Sequence, residues 1–377
     1  MQRKIRKALS YDDVLLVPNQ SNVISRSNAN THSELFLSRK PWKKRQPLIA
    51  SPMSTVCDIE MCLEMDKLGC TGILHRGTPY NDINKRASAI KTLSDSGVFF
   101  GVACKSKDFE HALMCADAGT PMICIDVANG HSDMVINFVR KLKAQLPDVH
   151  IMAGNVATMD GFRALANVGV DSVRVGIGGG HACTTRVNTG VGVPTFQSVL
   201  DCVEWRDGHC PEVNVIADGG CDNAGDVAKA IAAGADFVMA GSLFAGTSAS
   251  PGEVLWRNSI TGGVTKVLPL VHPSEMTTIE PSFTQVKEYK GMASYEVQAG
   301  QGHDKRKIVP EGVSTYVKYQ GSTEETVRLL LGGIRSAMSY CNAHTMFEFQ
   351  SNAEFCEITN GGLMESKPRS VYNLQNE

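Results

Sequence analysis

Short runs of β-branched and other apolar residues recur along the chain, and each is followed by a stretch with helical spacing. Eight such runs stand out: PLIASP (47–52), TGILH (71–75), VFFGVA (98–103), MICIDV (122–127), HIMAGN (150–155), SVRVGI (172–177), VNVIADGG (213–220) and DFVMAG (236–241). Their near-continuous apolar character is that of strands buried on both faces. The segments between them, such as DMVINFVRKLKAQL (133–146) and DVAKAIAAGA (226–235), place apolar residues at i, i+3, i+4 and i+7, as an amphipathic helix requires. Eight strand and helix units in register predict an α/β fold of the (β/α)8 TIM-barrel type. An open doubly wound sheet is the structural competitor, because GIGGG after a strand faintly matches a dinucleotide fingerprint. Its third glycine is misplaced, no acidic residue follows at the usual distance, and a cysteine-bearing loop runs on to Gly192 before a helix begins.

The eighth helix is delayed. After DFVMAG the chain enters a long polar stretch, 246–321, before TEETVRLLLGGIRSAMSYCNA (323–343) resumes helical spacing. Because that stretch leaves the C-terminal end of the last strand, where barrel enzymes keep their active sites, a flap is the expected use. The pattern therefore predicts one barrel over 1–350, with the flap inserted, and a polar tail over 351–377 that lies on the surface or against a partner.

Composition narrows the partners. The 377 residues are 42% hydrophobic and 20% charged with a formal net charge of −2, so no basic field recommends nucleic acid or an anionic membrane, and small molecules remain the default. The 12 cysteines form no C-x-x-C pair, and Cys62, Cys70, Cys115 and Cys124 lie in apolar segments where they read as small core residues. A reducing cytoplasm suits them. The opening MQRKIRKALSYDD has no apolar region behind it and no later run is long enough to span a bilayer, so neither export nor a membrane span is expected.

Several unusual residues fall at strand C-termini: Asp126, Asn155, the loop 176–186, Asp218 with Gly219 and Gly220, and Gly241 with Ser242. The two glycine pairs follow strands seven and eight, where barrels bind phosphate through backbone N–H groups; tight turns that need glycine are the plainer alternative. In GIGGGHACTTRVNTG (176–190), Cys183 sits on a polar loop beside Thr184, Thr185 and Arg186, and cationic neighbours favour thiolates. A nucleophile is one reading and a small filler the other. The carbonyls of Gly178, Gly180 and Cys183 are also candidates to hold a monovalent cation such as K+.

These residues carry a resemblance. The chain resembles the IMP dehydrogenase and GMP reductase family from YDDVLLVPNQSNVISR (11–26) through DVANGHS (126–132), MAGNVAT (152–158), CTTRVNTGVGVP (183–194), IADGGCDNAGDVAKAIAAGADFVMAGSLFAG (216–246), YKGMAS (289–294), VPEGV (309–313) and LGGIRSAMSY (331–340). The resemblance implies purine nucleotide chemistry with a nicotinamide cofactor. It makes Cys183 the thiolate that attacks C2 of the purine to give a thioimidate, and Thr185 with Glu311 a proton relay. Asp218 would bind the ribose; Gly219, Gly220, Gly241 and Ser242 the 5′-phosphate; and Gly291, Met292, Ala293 and Gly312 the base. Asp126, Val127, Ala128, Ile177 and Gly178, with Arg76 and the Ser25/Arg26 pair of a neighbouring subunit, would contact the dinucleotide. Two arginines suit a 2′-phosphate and hence NADPH. A homotetramer and K+ are implied as well.

The chain departs from the family pattern where Gly179 and His181 replace the Pro and Ser of G-P-G-S, where Arg76 replaces Lys, and in extra sequence between Glu253 and Tyr289. GMP reductase, which converts GMP to IMP and ammonia with NADPH, is the favoured activity. Only residues 76–97 separate TGILH from VFFGVA, leaving no room for regulatory domains, and DVANG looks like the reductase form of its motif. IMP dehydrogenase, forming XMP from IMP with NAD, is the alternative: GSLFAG and VPEGV look more like it, and Lys305/Arg306 fall about where its flap Arg-Tyr pair would be, although Lys307 supplies no phenol. A catalytically silent nucleotide-binding barrel is a third reading, against which Cys183, Thr185 and Glu311 argue.

Overall fold

The computed structural model describes residues 5–259, 261–266, 283–300 and 309–367. Eight parallel strands, Leu48–Ala50, Thr71–Leu74, Phe100–Cys104, Met122–Asp126, His150–Val156, Ser172–Val175, Asn214–Asp218 and Phe237–Ala240, form a closed barrel. The last pairs with the first, Val238 opposite Leu48, which is the closure an open doubly wound sheet lacks. Each strand overlaps one of the eight apolar runs, Phe100–Cys104 and His150–Val156 running one residue past theirs, and a helix follows each, from Ile59–Lys67 after the first to Thr323–Tyr340 after the last.

Local chemistry sets the helix starts. The Asp58, Asp82, Ser132, Thr158, Asn223 and Ser322 side chains each accept from backbone N–H groups of the following first turn. Helix Asp133–Gln145 buries Val135, Phe138, Val139 and Leu142, the i, i+3, i+4, i+7 stripe its sequence displays. Inside the barrel Ile49, Ile73, Met122, Cys124, Met152, Ile216, Phe237 and Met239 fill the bore. The bore is plugged at the N-terminal ends of the strands by a hairpin, Ser33–Leu37 with Lys40–Arg45. There Leu35 is buried, and Trp42 packs edge-on to Phe99 at 5.2 Å and stacks on His150 at 5.7 Å.

Two regions differ from the sequence expectation. The polar stretch after the eighth strand is not all loop: Leu255–Asn258, Val264–Thr265, Phe283–Lys290 and Ser314–Lys318 form a four-stranded antiparallel sheet, with helix Tyr295–Gly300 between the last two strands. No apolar alternation marks its strands: Phe283, Val286 and Tyr289 are three residues apart, and Ser314–Lys318 keeps four of five residues exposed. Lys305, Arg306 and Lys307 lie outside the described residues. In the tail, Phe355–Glu357 pairs antiparallel with Val14–Leu16, and Phe355 packs on Phe196 at 5.1 Å, so this stretch is joined to the barrel body.

Candidate active site at the barrel mouth

A cavity of about 640 Å³ opens at the C-terminal ends of the strands. Cys183 lies on its wall, half-buried, on the loop after the sixth strand. Its thiol donates to Thr185 Oγ1 at 3.2 Å, and that hydroxyl donates to Glu311 Oε2 at 2.8 Å. Glu311 is far away in sequence and arrives because segment 309–313 is laced to the cysteine loop. Thr184 N–H donates to Glu311 O, Val313 N–H to Ala182 O, and Glu311 N–H to Ala293 O. The lacing leaves no room for side chains: a Cβ on Gly291 would lie 2.7 Å from Ala182 O, and one on Gly312 3.0 Å from the same atom. Gly291 and Gly312 are therefore required by backbone approach.

Opposite the thiol runs a buried charge network. Arg174, in the middle of the sixth strand, gives Nη1 to Asp126 Oδ1 and Nη2 to Asp218 Oδ2, both at 2.8 Å. Arg76 Nε reaches Asp126 Oδ2 at 3.1 Å, and Asn155 Nδ2 donates to Asp218 Oδ2 at 2.7 Å. Burial pushes the Asp126 carboxyl up, but the Arg76 and Arg174 guanidiniums outweigh it and hold the carboxyl below its usual value. Burial likewise opposes the Arg174 charge, and Asp218, Cys124 and Asp126 more than reverse it. Asp126 thus stays ionised on the cavity wall, with Asp218 on the other arm of the same guanidinium.

The structure brings most of the expected residues to this cavity: Asp126, Val127, Ala128, Arg76, Ile177, Gly178, Gly180, Cys183, Thr185, Asp218, Gly291, Met292, Ala293, Glu311 and Gly312 all line it. Gly219, Gly220, Gly241 and Ser242 do not; they stand beside it. Gly219 backs onto Gly180, with a built Cβ 3.0 Å from Gly180 N, and Gly241 sits under Tyr289, with a built Cβ 2.8 Å from Tyr289 Oη. Gly220 borders a smaller hollow of about 100 Å³. Ser25 and Arg26 are not brought to the large cavity within one chain; Arg26 donates to Ser336 Oγ at 2.9 Å and lines a separate hollow with Arg335. Along the candidate cation loop, Gly180 O accepts from Cys183 N–H, and Arg186 Nη2 donates to Ile177 O and Val193 O.

Sequence reasoning passed over four residues. Arg174 was hidden in an apolar strand, although a charge in a strand buried on both faces demands a buried counter-charge, and that was its signal. Lys105 and Lys107 line the cavity beside Arg76; their signal was a basic pair immediately past the third strand. Burial and the nearby Arg76 push the Lys105 ammonium down from its usual value. Tyr289, buried over Gly241, was visible only as one letter of YKGMAS.

Fold and site together define a (β/α)8 barrel with a thiol-centred relay and an arginine-bridged carboxylate pair at its mouth. Residues 8–267 and 271–369 match the IMP dehydrogenase / GMP reductase domain, and the chain belongs to that family. It is 37% identical over 280 residues to the inosine-5′-monophosphate dehydrogenase of Nitrosopumilus maritimus, covering 72% of this chain and 53% of that protein. It is 30% identical to that of Borreliella burgdorferi, covering 99% of this chain and 100% of the relative. It is also 34% identical over 359 residues to the GMP reductase of Ascaris suum, covering 93% of each. The chain thus spans about half the length of the first of these relatives and essentially all of the other two.

Proposed function

We propose that the protein is a purine nucleotide oxidoreductase that reductively deaminates GMP to IMP and ammonia with NADPH. The observation that carries the reading is the hydrogen-bonded line from Cys183 Sγ through Thr185 Oγ1 to Glu311 Oε2. Cys183 as thiolate adds to C2 of the purine. A proton delivered along Thr185 and Glu311 converts the 2-amino group into a leaving ammonia, and the C2–N bond breaks to leave a thioimidate on Cys183. NADPH, when bound, would supply the hydride that C2 of this thioimidate needs before the C2–S bond breaks, returning the Cys183 thiolate and releasing IMP. Asp218, held by Arg174 and Asn155, is placed to accept from ribose hydroxyls. The dinucleotide suits the other half of the cavity, where Arg76, Lys105 and Lys107 supply positive charge against its phosphates. A potassium ion on the Gly178, Gly180 and Cys183 carbonyls and a homotetramer completing the cofactor site through Ser25 and Arg26 belong to the same reading.

IMP dehydrogenase is the second reading, favoured by the dehydrogenases among the relatives. The single helix Ile83–Asp95 between the second and third strands supports the reductase, but a named dehydrogenase matches this chain from end to end, so chain length alone does not separate the two. Absorbance at 340 nm does. GMP with NADPH should lose absorbance and yield IMP, whereas IMP with NAD should yield no XMP. XMP formation without GMP turnover transfers the assignment to the dehydrogenase.

A further inference from the structure

Four arginines are buried among the described residues. Arg45 meets Asp66, Arg174 meets Asp126 and Asp218, and Arg206 meets Asp207 and Asp236. Arg86, on helix Ile83–Asp95, forms no salt bridge among the described residues. Its Nη2 instead donates to Cys104 Sγ at 3.9 Å, and the Cys104 thiol donates to Cys115 Sγ at 3.9 Å. A guanidinium stays charged and a buried charge needs a counter-charge, which this thiol pair can supply as a thiolate. The bond from Cys104, with Arg86 nearby, holds the Cys115 thiol below its usual value although burial opposes it. Cys57 and Cys62 form a second buried pair whose sulfurs are closer, 3.6 Å. There Asp58 rather than a guanidinium stands by, and burial pushes the Cys57 thiol up.

We propose that Cys104 and Cys115 are a peroxide-reactive dithiol, a modification site coupled to the basic wall of the cavity. The Cys115 thiolate attacks one oxygen of a hydroperoxide and the O–O bond breaks. The departing oxygen leaves as hydroxide or alkoxide and takes up the proton Cys115 gave up, and Cys115 becomes a sulfenic acid. The Cys104 sulfur then attacks the Cys115 sulfur, the S–O bond breaks, and the Cys104 proton leaves with that hydroxyl as water. Two thiols are oxidised to one disulfide, and the peroxide is reduced to two waters or to water and an alcohol. Cys104 ends the third barrel strand and runs straight into Lys105, Ser106 and Lys107 on the cavity wall, while Cys115 lies on helix Phe109–Asp117. Drawing the sulfurs together therefore shifts the lysines. Both thiols are fully buried, so peroxide enters as that helix opens; its N-cap Asp108 makes no side-chain cap bond, unlike Asp82 and Ser132 on the helices before and after it.

Timed exposure of the full chain to hydrogen peroxide, quenched by alkylation and read by peptide mass, tests it. A peptide pair joined through Cys104 and Cys115, and released by dithiothreitol, should build up about tenfold faster or more than one joined through Cys57 and Cys62. Arg86→Met should slow the Cys104–Cys115 link by about tenfold, and Arg86→Lys, which keeps a cation, should restore much of it. No such link in the native chain, or a Cys57–Cys62 link that forms as fast, overturns the inference, and neither result depends on a variant folding. A folded Arg86→Met chain that crosslinks at the native rate overturns it as well. Coupling to the wall is read as NADPH affinity in the Cys183→Ala chain, where oxidation of the cavity thiol contributes nothing. Crosslinking should weaken NADPH by about threefold to tenfold while GMP changes less than about twofold, and unchanged NADPH affinity overturns the coupling. That arm rests on the dinucleotide reading above: if the reduced chain binds no NADPH, that reading fails, and the crosslink still decides the dithiol.

Discussion

Two buried polar groups, His150 in the floor of the barrel and Arg174 at its rim, are accommodated by opposite means. At the plugged end His150 is wholly buried and both ring nitrogens meet neutral partners, Phe36 O at 2.8 Å and Ser172 Oγ at 2.7 Å. Burial pushes its pKa down to about 4, so the ring is neutral at pH 7. At the open end Arg174 is equally enclosed, yet Asp126 and Asp218 flank it and it stays charged. The floor that seals the bore therefore holds a neutral histidine, and the rim holds an arginine between carboxylates that face a cavity. A charge can be kept inside a barrel only where counter-charges are supplied, as the rim supplies them around Arg174 and the floor does for Lys143 with Asp171 and Arg206 with Asp236.

If that division holds, rim and floor substitutions should separate activity from stability, and the widest separation is at Cys183. Cys183→Ala should cut turnover by roughly 10⁴-fold or more, about 5.5 kcal/mol of transition-state stabilisation, because the proposed thioimidate forms on this sulfur. The thiol is half-buried and, among the described residues, bonded only to Thr185, so the melting temperature should stay close to native. Steady-state kinetics with calorimetry checks both, and intact mass during turnover should show a nucleotide adduct on the native chain that the variant lacks. Full activity in the variant removes the covalent mechanism.

Arg174→Met is the substitution that should break the division. It strands Asp126 and Asp218 without their shared cation, and removing one partner of a buried pair costs about 3–5 kcal/mol. Activity should fall with stability, since Asp218 loses its orientation. Arg174→Lys should recover little, because an ammonium does not span two carboxylates as a guanidinium fork does. A variant that melts like the native chain would show that water takes over the pairing. On the floor, Phe237→Ala opens a cavity in the bore and should also cost about 3–5 kcal/mol, but the kcat of the folded fraction should remain within a few-fold of native.

The contrast also explains what could be read from sequence. The eight strands were legible because burial on both faces writes long apolar runs, and Cys183, Thr185 and Asp218 because they interrupt that writing at strand ends. Glu311 entered only through the family resemblance: nothing local places VPEGV beside the cysteine loop, since backbone lacing across 126 residues does so. Arg174 was read as part of an apolar strand, and Lys287, buried with its ammonium on Thr247 O and Ser250 O, left no trace in a polar stretch. Pairings between distant segments are decided in three dimensions, where a single-sequence pattern carries no signal.

The smallest expected effect concerns the floor and depends on pH. With its folded pKa near 4 against an ordinary value of 6.5, His150 takes up a proton more readily in the unfolded chain. Its contribution is therefore fully present above about pH 6.5 and is lost progressively as pH falls towards 4, amounting to about 2–3 kcal/mol across that window. His75, buried beyond the second strand and also lowered to about 4, adds a slope of the same sign. His150→Asn should then flatten roughly half of the stability loss between pH 6.5 and 4 while leaving turnover at pH 7 unaffected, since the ring lies at the opposite end from the cavity. Denaturant melts at several pH values measure this directly. An unchanged pH slope in the variant would mean that the floor admits a charged histidine, and the contrast between His150 and Arg174 would have to be abandoned.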